Sequence, residues 1–263
     1  MYNIHMRYLL SLALLLPSVC RAETVRVVAP YLGSITHHYE SSRLDLKDTG
    51  ALRGVYAQWV NTEKFQANAF FYSAPDVNYS RVDGLHLNAD YYLLPSRNGK
   101  YAVGGGIESL RVDLKADHKI TGYDYLSMKN DILYYYGRAG RYFYFRPGAF
   151  DVSVMPYAGY ALEDVSGDIY ADPAFGPTPP RVSIDDSSSY AIGGVNLNAS
   201  YNHFLEAQAK WMRRFHGDGP LDDCSLMLNF FFTRRFGVSY RFKYMEETSG
   251  SVVYHMGGVA ITF

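Results

Sequence analysis

The segment Phe236–Tyr244, with the sequence FGVSYRFKY, carries the pattern that decides the fold. Its even-numbered residues are all aromatic or aliphatic, whereas the residues between them are glycine, serine, arginine and lysine. Alternate side chains of an extended strand point to opposite faces, so this segment has one bulky apolar face and one small or charged face. The same alternation recurs at Leu85–Leu93 and Leu205–Met212, and no stretch beyond residue 22 has a convincing helical period. We therefore predict an all-β chain.

Along the whole chain, this alternation predicts twelve strands. The turns after the even-numbered strands are short, and the connections after the odd-numbered strands are mostly longer and polar, the longest being Val165–Ser188. An even number of strands with short turns at one end and longer loops at the other indicates a transmembrane antiparallel up-and-down β-barrel. Closure is required because lipid cannot satisfy the hydrogen bonds of an open sheet edge. The predicted strands are approximately 24–38, 51–61, 64–73, 83–94, 100–113, 130–145, 149–164, 189–201, 204–215, 224–233, 236–246 and 251–263.

The amino-terminal residues have the order of a secretory signal peptide. Met1–Arg7 carries one cation, Tyr8–Leu16 is almost wholly apolar, and Cys20-Arg21-Ala22 supplies a cleavage site. We predict a cleaved signal over residues 1–22, followed by one barrel domain over 23–263. The alternatives are a buried amino-terminal helix and a lipoprotein signal acylated at Cys20. Cleavage leaves Cys224 without a partner, so no disulfide is expected.

The alternation alone leaves open which face is buried, because a soluble β-barrel or sandwich would turn its apolar face inward. The tyrosines and tryptophans of the apolar faces lie near the predicted strand ends, where membrane barrels carry aromatic girdles. The polar faces combine amides and charges with small residues, which is typical of a confined, wet interior. We therefore predict that the apolar faces contact lipid. The girdle residues are Trp59, Tyr91, Tyr101, Tyr160, Tyr201, Trp211 and Tyr244.

The chain ends in Gly257-Gly258-Val259-Ala260-Ile261-Thr262-Phe263, with a terminal Phe and apolar residues at alternate positions before it. This segment resembles the terminal strand of Gram-negative outer-membrane β-barrel proteins. The resemblance implies that outer-membrane lipid and lipopolysaccharide surround the protein, and that both chain ends lie in the periplasm. It also implies that the barrel assembly machinery recognises Val259, Ile261 and Phe263. In length and strand number the chain is similar to small twelve-stranded pores for acidic oligosaccharides, although no motif assigns it to them.

Charged side chains on the predicted inner face are the candidate functional residues. The cations lie on the ninth and eleventh predicted strands and most of the anions on the fourth and fifth, which would place opposite charges on separate arcs of the wall. Such arcs would select polar solutes in an open lumen, or would pair and fill a closed one. The candidates that line the lumen are His86, Asp90, Glu108, Glu206, Lys210, Arg241 and Lys243.

Three functions follow from this arrangement, and the sequence favours a passive pore for small polar solutes. The alternatives are a non-conducting structural or adhesion barrel that binds through its external loops, and a lipid-modifying enzyme. Against the enzyme, no G-x-S-x-G motif occurs, and Ser34 and His37 would lie on opposite faces of a strand. The acidic serine run Asp185–Ser189 is predicted to be a hydrated loop. We therefore predict no catalytic residue.

Composition excludes other classes of protein. The chain has 263 residues, of which 48% are hydrophobic and 19% charged, with 25 Tyr, 15 Phe and 2 Trp. Lys and Arg total 25 against 26 Asp and Glu, so no general positive field exists to hold nucleic acid. No spacing of metal ligands is present, and we expect neither a metal nor a cofactor. The acidic external loops are predicted to be hydrated rather than to hold divalent cations.

Overall fold

The computed structural model describes residues 24–40, 45–77, 80–96, 98–117, 123–177, 181–202, 204–217, 219–247 and 250–263. These residues form twelve antiparallel strands in one closed barrel, in which each strand pairs with its sequence neighbours and the last pairs with the first. The predicted up-and-down barrel of twelve strands is thus confirmed. The strands are β1 (Thr24–Glu40), β2 (Asp45–Asn61), β3 (Phe65–Val77), β4 (Ser80–Ser96), β5 (Gly99–Asp117), β6 (Tyr123–Phe145), β7 (Phe150–Pro173), β8 (Val182–Tyr201), β9 (Leu205–His216), β10 (Gly219–Phe231), β11 (Phe236–Glu247) and β12 (Gly250–Thr262).

The predicted signal peptide over residues 1–22 lies outside the described residues, and it stays a prediction. Among the described residues, no helix is long and apolar enough to cross a membrane.

The outer face of the barrel is apolar, as the alternation predicts. In β11, Phe236, Val238 and Tyr240 are exposed on the outside, whereas Gly237 and Ser239 between them are buried. Several of the predicted girdle aromatics are exposed in the same way, among them Tyr91, Tyr101, Tyr160, Tyr201 and Trp211. A soluble barrel would hide such side chains, so this face is suited to lipid.

The two ends of the barrel differ. The connections after even-numbered strands are two to four residues long, and we call this end the turn rim. The prediction of longer connections after the odd-numbered strands is wrong for β3 and β9, which are followed by only two residues, because the neighbouring strands extend further than predicted. At the other end, which we call the hairpin rim, the strands have unequal heights. β6 and β7 have 23 and 24 residues, whereas β9 to β12 have 12 or 13. A tilted strand needs only about 9–11 residues to cross a bilayer. The strands β5 to β8 therefore extend beyond the membrane on one side of the barrel.

This extension corrects the predicted connection Val165–Ser188, most of which is strand. β7 continues to Pro173, and β8 already contains the run Asp185–Ser189 that was predicted to be a loop. The reason is that polar side chains pair across the hairpin. The Ser187 hydroxyl donates to Asp164 over 2.6 Å, and Ser183 donates to Asp168 over 2.9 Å. Aspartate and serine favour loops locally, but these cross-strand pairs stabilise a ladder in water.

The outer face of β7 shows where the apolar, lipid-facing surface of the barrel ends. Tyr160 and Leu162 are exposed and apolar, and the next outward residues are Asp164 and Asp168. Arg181 pairs with Asp168 over 2.6 Å on the same outer surface. Charged pairs of this kind require water, because a charge facing hydrocarbon is costly. The hairpin above Leu162 therefore projects into solvent.

The inner face is far more aromatic than the sequence suggested. One cluster of buried residues draws on β10 to β12 and on β1 to β5, which form one continuous arc of the wall. Within it, Phe70 and Tyr72 of β3 contact Tyr254 of β12, so side chains meet inside the lumen over the two strands between them. We call this group of residues the cross-lumen cluster. A second cluster, with Tyr92, Tyr134, Tyr136, Tyr142, Tyr157 and Tyr190, lines the walls formed by β4 to β9. These tyrosines fill space that the sequence analysis had left to water.

Three inward tyrosines lie against glycines of the neighbouring strand. Tyr72 faces Gly84, Tyr136 faces Gly106, and Tyr157 faces Gly194, each as a direct cross-strand pair. A Cβ atom built on Gly84 would approach Cζ of Tyr72 to 2.1 Å. Only glycine leaves room for the ring at these positions, so the glycines of the inner face set where the tyrosines pack.

Replacing Gly84 with valine should lower the free energy of unfolding by about 1–3 kcal/mol, because the new side chain displaces the Tyr72 ring in a packed interior. Urea unfolding of the folded protein in detergent measures this loss. Gly137→Val is the matched control, since no atom lies within 4 Å of the Cβ position at Gly137. Equal stability of the two variants would contradict the packing role of Gly84.

Candidate functional site

The candidate site is a polar cavity of about 100 Å³ within the lumen. Its lining includes six of the seven predicted lumen residues, namely His86, Asp90, Glu108, Lys210, Arg241 and Lys243. The seventh, Glu206, lies on β9 and accepts a hydrogen bond of 3.4 Å from Asn229. Gln66, Asn198 and Gln208, which also line the cavity, lie within a few residues of the short turns. The cavity therefore occupies the half of the lumen next to the turn rim.

A chain of polar contacts crosses this cavity. Lys243 of β11 forms an ion pair with Glu108 of β5, two strands that lie on opposite sides of the barrel. His86 Nδ1 lies 3.1 Å from a second oxygen of Glu108, and Asn88 Nδ2 donates to His86 Nε2 over 2.8 Å. The tautomer with its proton on Nδ1 satisfies both histidine contacts. The predicted cationic and anionic arcs are therefore joined at this point.

A second ion pair is more deeply buried. Arg138 of β6 donates from Nε to Asp90 over 3.1 Å and from Nη2 over 2.6 Å, and both side chains are only 4% exposed. The paired geometry matches the guanidinium fork to the two carboxylate oxygens. Arg138 lies on the predicted inner face, but its role as the partner of Asp90 depends on the positions of β4 and β6 and was not predicted.

A third group of charges lies around Arg214 of β9. Its guanidinium contacts Asp223 at 3.0 Å and Glu163 at 3.6 Å, and Tyr190 donates to the same glutamate. This group was not predicted, because the predicted tenth strand begins at residue 224 and so leaves Asp223 outside the barrel wall. In the structure β10 begins at Gly219 and contains both aspartates. Asp223 points into the lumen, whereas Asp222 points outward and pairs with Arg213.

Two cations of the cavity have no carboxylate partner within ion-pair distance in the described ranges. Arg241 lies over the rings of Tyr56 and Phe70, with its Cζ atom 4.8 Å and 4.3 Å from the two centroids. Lys210 Nζ lies 5.4 Å from the ring centroid of Tyr136. Aromatic faces attract such cations, but they do not neutralise them.

The serines and histidines weighed for catalysis do not form a nucleophile and base. Ser34 is exposed on the outer face of β1 and His37 is buried on the inner face, as strand geometry predicts. In the part of the chain that is described, no group of three His, Cys, Asp or Glu residues could hold a metal ion.

The predicted assembly residues lie at the turn rim. Val259 and Phe263 are about half exposed on the outside of the barrel, and Ile261 is partly exposed at the alternate position between them. The amide of Phe263 donates to the carbonyl of Arg26 over 3.1 Å, which holds the chain end against β1. The side chains at alternate positions thus form one accessible apolar row.

Comparison with known proteins identifies solved structures with a similar fold. No family model matches the sequence, and a search of curated proteins gives no match. Among solved structures, the translocator domain of the autotransporter NalP from Neisseria meningitidis superimposes with a TM-score of 0.58 at 14% identity, covering 99% of this chain and 95% of that one. The β domain of the Bordetella autotransporter BrkA gives a TM-score of 0.50 at 12% identity, covering 90% of this chain and all 100% of that one.

These likenesses concern the fold alone. The chain has the closed-barrel fold of bacterial outer-membrane proteins, and the resemblance inferred from its last strand is confirmed at that level. The apolar outer face and the projecting hairpins agree with an outer-membrane location.

Proposed function

We propose that this protein is a non-conducting outer-membrane barrel that acts by binding through its projecting hairpins rather than by catalysis. The observation that carries the proposal is the closure of the lumen by side chains from opposite walls. The Lys243–Glu108 pair joins the opposite strands β11 and β5, and within the cross-lumen cluster Tyr72 of β3 meets Tyr254 of β12. A passive pore needs a continuous water path, so contacts between walls inside the lumen support the proposal of a closed barrel.

The projecting part of β5 to β8 supplies the binding surface in this proposal. Its outer face carries charged pairs such as Arg111 with Asp131, joined over 2.6 Å, and the connection between β7 and β8 carries Phe175, whose side chain is 93% exposed. A ladder of cross-strand pairs gives this surface a fixed shape. Recognition commonly uses loops and hairpins that a rigid scaffold holds in this way.

We further propose that the turn rim faces the periplasm and the hairpins face outward, with lipid and lipopolysaccharide around the apolar belt. In this orientation both described chain ends lie at the periplasmic rim. Export by the predicted signal peptide over residues 1–22 precedes insertion.

Single-channel recording in a planar bilayer tests the closed lumen. The folded protein, identified by heat-modifiable migration on a gel, is expected to give no discrete conductance steps. A twelve-stranded pore of known conductance, reconstituted in the same lipid, shows that insertion is detected. Regular conductance steps from this protein would overturn the proposal.

The polar cavity is the one observation that favours the alternative of a passive pore. If the protein conducts, Arg241 and Lys243 would attract anions into the path. Changing both to glutamine would then shift the reversal potential toward cation preference. An unchanged reversal potential in a conducting, folded variant would show that these residues do not line the path.

Deletion of Phe263 is expected to lower the amount of folded barrel in the outer membrane several-fold. The proposed reason is that the assembly machinery reads the apolar row that ends at this residue. Membrane fractionation with heat-modifiable gel migration measures the yield. Deletion of Phe175 from the exposed connection is the matched control, because it removes the same residue type from a different end of the barrel. Equal yields would contradict the role of the terminal residue.

A further inference from the structure

Cationic side chains outnumber carboxylates in the lining of the lumen cavity. The carboxylates of its lining are Asp90, Glu108 and Asp223, and each already has a cationic partner. Lys210 lines the same cavity, and within the described residues it has no carboxylate at ion-pair distance. The amine of Lys210 is therefore available to an anionic ligand that enters the cavity.

Several buried polar atoms of the inner face also have no hydrogen-bond partner within the described part of the chain, and all but the Tyr136 hydroxyl belong to residues that line the cavity. They are Tyr136 Oη, Arg138 Nη1, Arg241 Nε and Asn196 Oδ1. Three of the four are donors, and the side chains of Tyr136 and Arg138 belong to residues that are only 6% exposed. A buried donor without a partner is destabilising, so the site is complete only when something accepts these hydrogen bonds.

The strand pairing places these groups together. Asn196 of β8 is the direct cross-strand partner of Lys210 in β9, and Tyr136 of β6 lies beneath the lysine ammonium group at 5.4 Å. Arg138 follows Tyr136 by two residues on the same inner face of β6. Lys210 and Arg138 therefore present donors from two strands to the cavity, and Tyr136 lies beside Lys210.

From this geometry we infer that the cavity binds a small oxyanion, of the size of phosphate or acetate, with Lys210 as its charge partner. An oxyanion has several acceptor oxygens, so it can accept from the ammonium group, the guanidinium and the phenol together. The cavity volume of about 100 Å³ is large enough for such an ion. The inference holds whether or not the barrel conducts.

Equilibrium dialysis of the folded protein in detergent against labelled inorganic phosphate tests the inference. We expect saturable binding of one phosphate per chain, with competition by acetate. Lys210→Met should weaken binding about 10- to 100-fold, the range expected when a charge-assisted hydrogen bond is lost. Lys129→Met is the matched control, because Lys129 lies on the exposed outer face of β6, and it should leave binding unchanged.

Tyr136→Phe keeps the inference testable if the lysine variant fails to fold, since it removes only the hydroxyl group. It should weaken phosphate binding about fivefold to tenfold. Absence of saturable binding by the parent protein would overturn the inference, and so would equal binding by the parent and the Lys210→Met or Tyr136→Phe variant.

Discussion

Replacing Asp90 with leucine should lower the free energy of unfolding by about 3–5 kcal/mol, because Arg138 would keep its charge in a buried position without a partner. Both side chains of the pair are 4% exposed, so the remaining guanidinium would be only poorly hydrated. Urea unfolding in detergent, followed by heat-modifiable gel migration, measures the difference.

Asp151→Leu provides a control with the same chemistry. Asp151 pairs with Arg146 over 2.6 Å, but the two side chains are 63% and 83% exposed. An exposed pair contributes only about 0–1 kcal/mol, so this variant should be nearly as stable as the parent. The double variant Asp90→Leu with Arg138→Met should recover most of the lost stability. Equal losses at Asp90 and Asp151 would contradict the importance of burial.

The sequence predicted the barrel because the features that define its wall are local. In β11, each residue alternates between the lipid face and the lumen, and the alternation is visible in nine consecutive letters of the sequence. The orientation of Lys243 and Arg241 follows from the same pattern, since a charge in hydrocarbon costs roughly 2–4 kcal/mol near the midplane. Neither result requires knowledge of which strands are neighbours.

The packing of the lumen could not be predicted in this way. A tyrosine can lie in an interfacial girdle or in a packed interior, because its ring is apolar and its hydroxyl is polar. Which of the two positions it takes depends on the residue that faces it on the neighbouring strand. Tyr136 packs inward because Gly106 lies beside it, a relation that depends on the pairing register. The pair Lys243 and Glu108 is separated by 135 positions in the sequence, so it exists only once the barrel closes.

The extension of β7 was missed for a different reason. Aspartate and serine favour loops when each residue is considered alone, and the segment after Leu162 is rich in both. The structure pairs them across the hairpin instead, as in Ser187 with Asp164. The sequence feature that indicates this ladder is the match between aspartates on one side of the connection and serines on the other.

Replacing Tyr72 and Tyr254 together with alanine should open the closed lumen. Each tyrosine is 1% exposed, and their ring centroids lie 5.4 Å apart within the cross-lumen cluster. Loss of one buried aromatic side chain costs about 3–5 kcal/mol, and two that touch do not add independently. The closed ladder of backbone hydrogen bonds holds the wall in place, so the expected result is a less stable barrel that shows conductance steps where the parent is silent.

Tyr135→Ala with Tyr160→Ala is the control, because it removes two tyrosines from the outer face and leaves the lumen unchanged. This variant should remain silent in the planar bilayer. If the parent already conducts as strongly as the Tyr72 and Tyr254 variant, the cluster does not close the lumen and the proposed function fails. If the folded double variant stays silent, the aromatic cluster is dispensable for closure, and the ion pair between Lys243 and Glu108 becomes the structural element that blocks the path.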